Sequence, residues 1–209
     1  MKFKLYFLIF TIACFTSSYC AAQKSILKII DHYFRYNPFD RDFKSFLVHL
    51  INDTLLEEKQ IIKRTDSTLF FFRGVYRNYN SFNLNSPRVA VRLAETEVEL
   101  YRPYPEKDTI MQYQIIIYTN PGTQNINTVE KEFERFRRKY TTDFSHVESR
   151  EVMVGDKPSG VISDYFIEMS SIPPVTVAYT NSDKGENIFA VTIRIIVREN
   201  ASLIPVDKE

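Results

Sequence analysis

The feature that most constrains the fold is a change of hydrophobic period that occurs twice along the chain. Each time, a segment with apolar residues at helical spacing is followed by four segments with strand character. The clearest helical segment, Thr128 to Tyr140, carries the stripe Val129, Phe133, Phe136 and Tyr140. The clearest strand, Val89 to Tyr101, alternates apolar and charged residues, as strands with one face in water do. The pattern predicts an α+β fold of antiparallel sheets backed by helices.

A further helix precedes these two units. It covers Ser25 to Arg35, has an apolar stripe that begins at Ile26, and ends before Asn37-Pro38. The helix of the first unit starts near Asp40 and ends near Asn52. The predicted strands are Leu55–Arg64, Thr68–Tyr76, Val89–Tyr101 and Thr109–Thr119, then Val147–Val154, Gly160–Met169, Val175–Tyr179 and Asn187–Val197. The predicted element order is therefore α-(αββββ)-(αββββ).

The two units show a weak internal similarity. At a spacing of about 90 residues, Asp53 falls on Asp143 after each helix, and Asp66 falls on Asp156 in each first hairpin turn. An internal duplication and a chance register both explain so few identities. The sequence predicts an N-terminal helical segment at 23–37 and an α+β domain at 38–198. Its halves would be 38–120 and 121–198, and residues 199–209 would form a flexible tail.

The first 22 residues have the pattern of an export signal. Lys2 and Lys4 are followed by an apolar run, Leu5 to Phe15, which is shorter than a membrane span needs. Cys20-Ala21-Ala22 places small residues where a signal peptidase cleaves, so we expect cleavage before Gln23. The leader resembles a bacterial secretory leader, which implies a periplasmic or extracellular protein.

Export changes what the two cysteines imply. Cys14 and Cys20 both lie in the leader, so the mature chain would have no disulfide and no thiolate site. A lipoprotein anchored through Cys20 is disfavoured, because acylation needs a small residue before the cysteine and Tyr19 stands there. An uncleaved N-terminal anchor is the other alternative. No later segment is long and apolar enough for an integral membrane span.

The charge balance argues against an anionic polymer as partner. The chain has 27 basic and 26 acidic residues, and without Lys2 and Lys4 the net charge becomes about −1. Binding to nucleic acid depends on neutralising phosphates with many basic groups. We therefore expect no nucleic-acid partner.

Sequence motifs for catalysis or cofactor binding are absent. The chain has no phosphate-binding loop, no nucleophile elbow and no zinc-protease motif. Its three histidines, His32, His49 and His146, have no metal-ligand spacing. Asp143 to His146 contains an acid, a hydroxyl and an imidazole, but we interpret it as the turn that leaves a helix. No cofactor, no metal site and no catalytic residue is predicted.

Two aromatic connections are the candidate binding elements. Tyr76 to Pro87 joins two strands through about a dozen residues, which is long for a hairpin loop. It is rich in Tyr, Asn and Ser, which recognition loops favour. A second aromatic turn follows Val89–Tyr101. The candidate binding residues are Tyr76, Tyr79, Phe82, Tyr101 and Tyr104.

These observations favour an exported, non-enzymatic binding or accessory protein. Its partner would be another protein or a glycan at the cell envelope. Two alternatives stay open at this point. One is a small carrier or sensor for an apolar ligand held between sheet and helices. The other is a hydrolase whose site is assembled from distant residues.

Overall fold

A computed structural model describes residues 20–40, 43–63, 68–77, 88–100, 106–168, 170–182, 185–198 and 201–202. The helices are α1 (20–33), α2 (Phe43–Asn52) and α3 (Thr123–Tyr140). The first four strands are β1 (Leu56–Lys63), β2 (Thr68–Arg77), β3 (Arg88–Leu100) and β4 (Glu106–Thr119). The others are β5 (His146–Val154), β6 (Lys157–Phe166), β7 (Val175–Thr180), β8 (Asn187–Arg198) and β9 (Ala201–Ser202).

All strands belong to one antiparallel sheet. The strand order is β1-β2-β3-β4-β8-β7-β6-β5, and the short β9 pairs with β8. Each group of four consecutive strands forms a meander, and the two meanders meet where β4 pairs with β8 over eleven residue pairs, from Thr109↔Val197 to Thr119↔Asn187. The predicted α+β class with an antiparallel sheet is confirmed, with one continuous sheet rather than several.

One face of the sheet packs against the helices. Alternate residues of the central strands point to this face, as the period of a β-strand requires. They meet the apolar stripes of α1, α2 and α3 in a single core. This core includes Ile26, Ile29, Tyr33, Phe46, Leu50, Val91, Leu93, Tyr113, Ile115, Phe133, Phe136, Tyr165, Val177, Phe189 and Val191. The expected burial of Phe133 and Phe136 is confirmed, since each is 1% exposed.

The opposite face of the sheet carries a small apolar cluster and a row of polar groups. The cluster is formed by Val75, Ala90 and Ile116. In the neighbouring row, Asp164 accepts hydrogen bonds from Arg150 and from Thr176, each at 2.5 Å. Arg194 lies against Thr176 in the same row. Side-chain hydrogen bonds therefore satisfy polar groups on this face.

Element boundaries differ from the predicted ones where the sequence has no apolar period. Helix α3 begins at Thr123 instead of Thr128, because Gly122 adopts a φ of 123° and its carbonyl accepts from Asn125 and Ile126. The first turn of α3 is polar and has no core-facing stripe, so the period could not reveal it. Strand β4 begins at Glu106 instead of Thr109.

The hairpin between β5 and β6 corrects a predicted turn. The sequence predicts strands that end at Val154 and begin at Gly160, with Asp156 in the turn between them, whereas the connection is Gly155 and Asp156 alone, with Gly155 at a φ of 61°. Gly160 lies within β6. A Cβ atom there would collide with the backbone of Tyr179 and Thr180, so a close approach of β7 accounts for this glycine.

Among the residues described, no helix combines the length and the apolar character that crossing a membrane requires.

Truncating the central aromatic of α3 tests the core. Phe136 contacts Tyr33, Tyr140 and Tyr165, with ring centroids 4.9–5.8 Å apart. We expect Phe136→Ala to lower the free energy of unfolding by about 3–5 kcal/mol, the usual loss for a buried aromatic. Chemical denaturation measures it. The exposed Arg138→Ala on the same helix is the control, expected to stay within about 0.5 kcal/mol. A loss below about 1 kcal/mol for Phe136→Ala would contradict this packing.

Candidate functional site

A groove of about 640 Å³ lies at the end of the sheet where α3 begins. We call it the β6–β7 groove. One wall is the β5–β6 hairpin, and the other is the end of β7 with the residues that follow it. The lining side chains and backbone come from Glu130, Glu151, Val154, Lys157, Pro158, Ser159, Gly160, Val161, Tyr179, Asn181 and Ser182. The groove is open to solvent and mixes an aromatic ring with charged and amide groups.

Backbone contacts hold the two walls together. Gly160 pairs with Thr180, and Val161 pairs with Tyr179 in the β6–β7 ladder. Beyond the ladder, the Asn181 N–H donates to the carbonyl of Ser159 at 2.5 Å. Strands β6 and β7 approach closely at Gly160, and this hydrogen bond extends their close approach past the end of the ladder. The groove floor is therefore backbone that secondary structure fixes before any ligand arrives.

Asn181 links the floor to helix α3. Its Nδ2 donates to Glu130 Oε1 at 2.7 Å, which ties the end of β7 to the second turn of α3. Its Oδ1 is buried and has no hydrogen-bond partner among the described residues. Leaving a buried acceptor unsatisfied costs free energy. The Asn181 amide is therefore a fixed part of the groove wall, with its oxygen enclosed by the protein.

Tyr179 supplies the aromatic surface of the groove. The ring is half-buried and meets Phe133 edge to face, with centroids 4.8 Å apart. Burial raises the pKa of the Tyr179 hydroxyl, and the nearby Glu130 and Glu134 raise it further. The phenol thus stays protonated at neutral pH, and the ring is held in place by the core beneath it.

The groove is lined by charged groups of both signs. Glu130 and Glu151 contribute carboxylates and Lys157 contributes the opposing charge. Across the residues that the structure describes, no group of three His, Cys, Asp or Glu side chains is arranged to hold a metal ion. The arrangement suits a polar ligand with several donors and one face that can pack on an aromatic ring.

Of the binding residues selected from the sequence, the structure describes Tyr76. Tyr79, Phe82, Tyr101 and Tyr104 are outside the described residues, so their part in binding stays a prediction. Tyr76 is described, and it is 2% exposed within the core. Its ring faces the helices and not solvent, so the structure gives it a structural role. Its selection followed from its position beside a long loop, which says nothing about the direction of the side chain.

Tyr76 belongs to a buried polar cluster around Asp53. The Asp53 carboxylate accepts hydrogen bonds from the Tyr76 hydroxyl at 2.7 Å, the Tyr36 hydroxyl at 3.1 Å and the Leu55 N–H at 2.9 Å. Arg35 Nε lies 3.5 Å from the same carboxylate. Burial alone would raise the pKa of Asp53, but these hydrogen bonds and the Arg35 charge outweigh it and lower the pKa. The cluster fastens α1 and α2 to β2.

The acid, hydroxyl and imidazole near the end of α3 fasten the helix exit. Asp143 accepts a hydrogen bond from Ser25 at 2.5 Å, and the imidazole of His146 stacks on Phe166. Ser145 Oγ lies 3.4 Å from His146 Nδ1, and His146 Nε2 lies 3.6 Å from Glu148. The Ser145 hydroxyl donates its proton to the carbonyl of Phe166 at 2.7 Å, so it does not donate to the imidazole as an activated nucleophile would.

Sequence reasoning missed the groove residues. Glu130 fell in a helix, Tyr179 at a strand end and Asn181 in a turn, so no local motif joined them. The usable signal was a glycine, Gly160, in a chain with 5 glycines. A glycine inside a strand marks a close backbone approach, but the sequence pattern places Gly160 at the start of a strand, next to a turn, where a glycine needs no such explanation.

No protein-family model, no curated protein and no solved structure matches this chain. The function is therefore argued from the groove itself.

The hydrogen bonds to Asp53 lead us to predict how the free energy of unfolding changes at low pH. We expect Tyr76→Phe to lower the free energy of unfolding at pH 7 by about 1.5–3 kcal/mol, because it removes a hydrogen bond to a buried carboxylate. The folded-state pKa of Asp53 lies below its unfolded value. Its contribution is therefore full above about pH 4 and is lost as pH falls through the folded pKa. Denaturant unfolding across pH 2–7 measures it.

The matched control for this change is Tyr140→Phe. The Tyr140 hydroxyl is buried but has no hydrogen-bond partner among the described residues. Its removal should leave the pH dependence of stability unaltered. A Tyr76→Phe loss that stays constant from pH 7 down to pH 2 would show that Asp53 is not the group that the hydroxyl stabilises.

Proposed function

We propose that the protein is an exported, non-enzymatic binding protein that holds a hydroxyl-rich ligand, a glycan, in the β6–β7 groove. The observation that carries this proposal is the Tyr179 ring, held against Phe133, in a groove that the carboxylates of Glu130 and Glu151 also line. Sugars present C–H groups on one face and hydroxyls at the edge. The C–H face packs on an aromatic ring, whose face carries negative charge density. The hydroxyls donate to carboxylate and amide oxygens.

The dimensions of the groove support this class of ligand. Its volume of about 640 Å³ lies within the range of roughly 300–1,000 Å³ for small-ligand sites. The acceptors Glu130, from α3, and Glu151, from β5, both border it. An apolar carrier would need a lining of Phe, Ile and Leu, and this groove has charged and amide groups instead.

Binding measurements test the proposal. A glycan array identifies a ligand, and calorimetry then gives its affinity for the wild type and three variants. Tyr179→Ala should weaken binding by at least about 2 kcal/mol, roughly 30-fold, as expected for a central aromatic. Glu151→Gln should weaken it about 10-fold, because hydrogen bonds to a charged acceptor are the stronger ones. Glu148→Gln, on the same strand and 69% exposed at the side chain, should change nothing.

Two results would contradict the proposal. One is the absence of any glycan ligand, and the other is an affinity that Tyr179→Ala leaves unchanged. Tyr79→Ala separates the groove from the long loop that the sequence favours. If that variant alone abolishes binding, the recognition surface lies in 76–87 and the groove is not the site.

A glycoside hydrolase is the second candidate, because Glu130 and Glu151 both border the groove and glycosidases use two carboxylates. Incubation with the glycan that binds, followed by product analysis, separates the two functions. A binding protein leaves the glycan intact. Cleavage that Glu151→Gln abolishes would make the protein an enzyme.

The proposal that the protein is exported depends on its leader sequence. The buried position of Ala22 constrains when the leader can be cleaved. Ala22 is 0% exposed and belongs to the core between the helices and the sheet. A signal peptidase requires an extended, accessible chain, so cleavage after Ala22 has to precede packing of α1. This order is the one expected when the chain crosses the membrane unfolded.

Mass spectrometry of the secreted protein tests the leader. We expect a chain that begins at Gln23, with the free amine or cyclised. An intact Met1 would indicate an uncleaved anchor. A lipid on Cys20 would indicate a lipoprotein, contrary to the expectation from Tyr19.

We also propose that the two αββββ units arose by duplication. The support is the repeated order of one helix followed by a four-stranded meander. At a spacing of 90 residues the pair Leu56 and Tyr76 corresponds to the pair His146 and Phe166, but the first pair lies in the core and the second does not, so the spacing does not preserve the faces of the strands. The fourth strands of the two units then pair with each other. The third strands differ in length, so the spacing is not kept beyond the first hairpins.

A further inference from the structure

The two outer strands of the sheet present different edges. On one side the outer strand is β1, and on the other side it is β5. The pairing of β1 shifts register between Glu57 and Gln60, and Glu58 has a φ of 51°. The neighbouring Lys59 donates from its Nζ to the Ile51 carbonyl of α2 at 2.6 Å. Bulges and lysines on an outer strand hinder pairing with another chain, so the edge at β1 is protected.

Strand β5 has none of these features over most of its length. Its register with β6 is regular from His146 to Val152 and shifts only after Val152, and its sequence contains no lysine and no proline. Among the residues that the structure describes, β5 pairs with β6 alone. The outer side of 146–152, which we call the β5 edge, is therefore open, and an open edge is a template for another strand.

Two opposite charges lie in the middle of the β5 edge. The side chains of Glu148 and Arg150 are 69% and 62% exposed. Both point away from the helices, because Val147 packs on the core and successive residues of a strand alternate between faces. Glu148 lies directly opposite Asp164 of β6, and like charges in this position destabilise a sheet. Arg150 donates to Asp164 at 2.5 Å, whereas Glu148 lies 3.6 Å from His146, which counters its charge only when protonated. A cation on the open side of Glu148 would therefore stabilise this end of the sheet.

Pairing of the β5 edge with the same edge of a second copy supplies such a cation. Two copies related by a two-fold axis perpendicular to the sheet present antiparallel strands, and the residue on the axis lies opposite itself. An axis at Ser149, the middle residue of 146–152, places Glu148 of each copy opposite Arg150 of the other. An axis at Glu148 or at Arg150 places like charges opposite each other instead. The length of the edge and its charges therefore select the same register.

We propose that two copies of this chain form a dimer through their β5 edges, with Ser149 on the two-fold axis. Symmetry gives two Glu148–Arg150 pairs, in addition to the backbone hydrogen bonds between the strands. Arg150 then lies between Asp164 of its own copy and Glu148 of the second copy, and the five N–H donors of a guanidinium serve both carboxylates. Each β6–β7 groove is formed within one copy, so the affinity for a glycan does not depend on the dimer.

Sedimentation velocity of the secreted protein over a range of concentrations tests the dimer. We expect a monomer–dimer equilibrium that weakens as sodium chloride is raised from about 0.1 M to about 1 M, because salt screens exposed charges. Glu148→Arg replaces both pairs by contacts between cations and should weaken dimerisation at least about tenfold. Arg150→Glu should have a similar effect. Lys131→Glu makes the same charge change as Arg150→Glu at an exposed site on α3 and should leave dimerisation unchanged.

Exchanging the two charges within one chain separates a paired contact from a general effect of charge. The double variant Glu148→Arg, Arg150→Glu restores both pairs with their signs reversed, so it should dimerise more tightly than either single variant. The introduced arginine also lies opposite Asp164, which replaces the ion pair that Arg150→Glu removes. If Arg150→Glu alone fails to fold, Glu148→Arg and the double variant still give the comparison.

Four results would overturn the proposal. The first is a wild type that stays monomeric at every concentration. The second is a series of higher oligomers, because a two-fold contact closes at two copies. The third is a dimer that Glu148→Arg leaves unchanged, and the fourth is a double variant that dimerises no more tightly than Glu148→Arg.

Discussion

The pairing of β4 with β8 is the interaction on which the rest of the structure depends. It joins two four-stranded meanders into one sheet, over eleven residue pairs. Asn187, which is fully buried, closes one end of this seam: its Nδ2 donates to the Asn120 carbonyl at 3.1 Å, and its own carbonyl accepts from Thr119. Only a continuous sheet offers a face wide enough for three helices, so the core exists because of this seam.

Helix α1 connects the two halves a second time, through polar contacts. Ser25 donates to Asp143 and Tyr33 to Glu132, both in the second half. Arg35, just beyond the helix, lies against Asp53 in the first half. These groups are buried or partly buried, and losing one partner leaves the other unsatisfied, which costs more than an apolar contact of similar size. The contacts therefore specify where α1 lies on the sheet.

The candidate site lies where α3 meets another element. The β6–β7 groove forms toward the start of α3, against the end of β7. Two contacts join these elements: Asn181 donates to Glu130, and the Tyr179 ring packs edge to face on Phe133. The groove lining is therefore held in place by the same packing that forms the core, and a ligand bound there would add to the stability of the folded state.

The sequence by itself determined the elements and the face that each presents. The stripe of Val129, Phe133 and Phe136 placed α3 against the sheet, and the alternation from Val89 to Leu93 placed β3 with its odd-numbered residues inward. These features can be found from the sequence because the hydrophobic period depends only on residues that are close together in the chain. The start of α3 and the turn at Gly155 were missed for the same reason, since neither carries an apolar period.

Only the tertiary structure decided which strands meet and which residues form a site. The β4–β8 seam and the contact of Asn181 with Glu130 join residues far apart in the chain, and no spacing in the sequence encodes such contacts. The tertiary structure also decided that Tyr76 is a core residue. A side chain at the end of a strand points into the core or into solvent according to the elements that pack on that part of the sheet. Burial depends on the whole fold, whereas period depends on a few neighbouring residues.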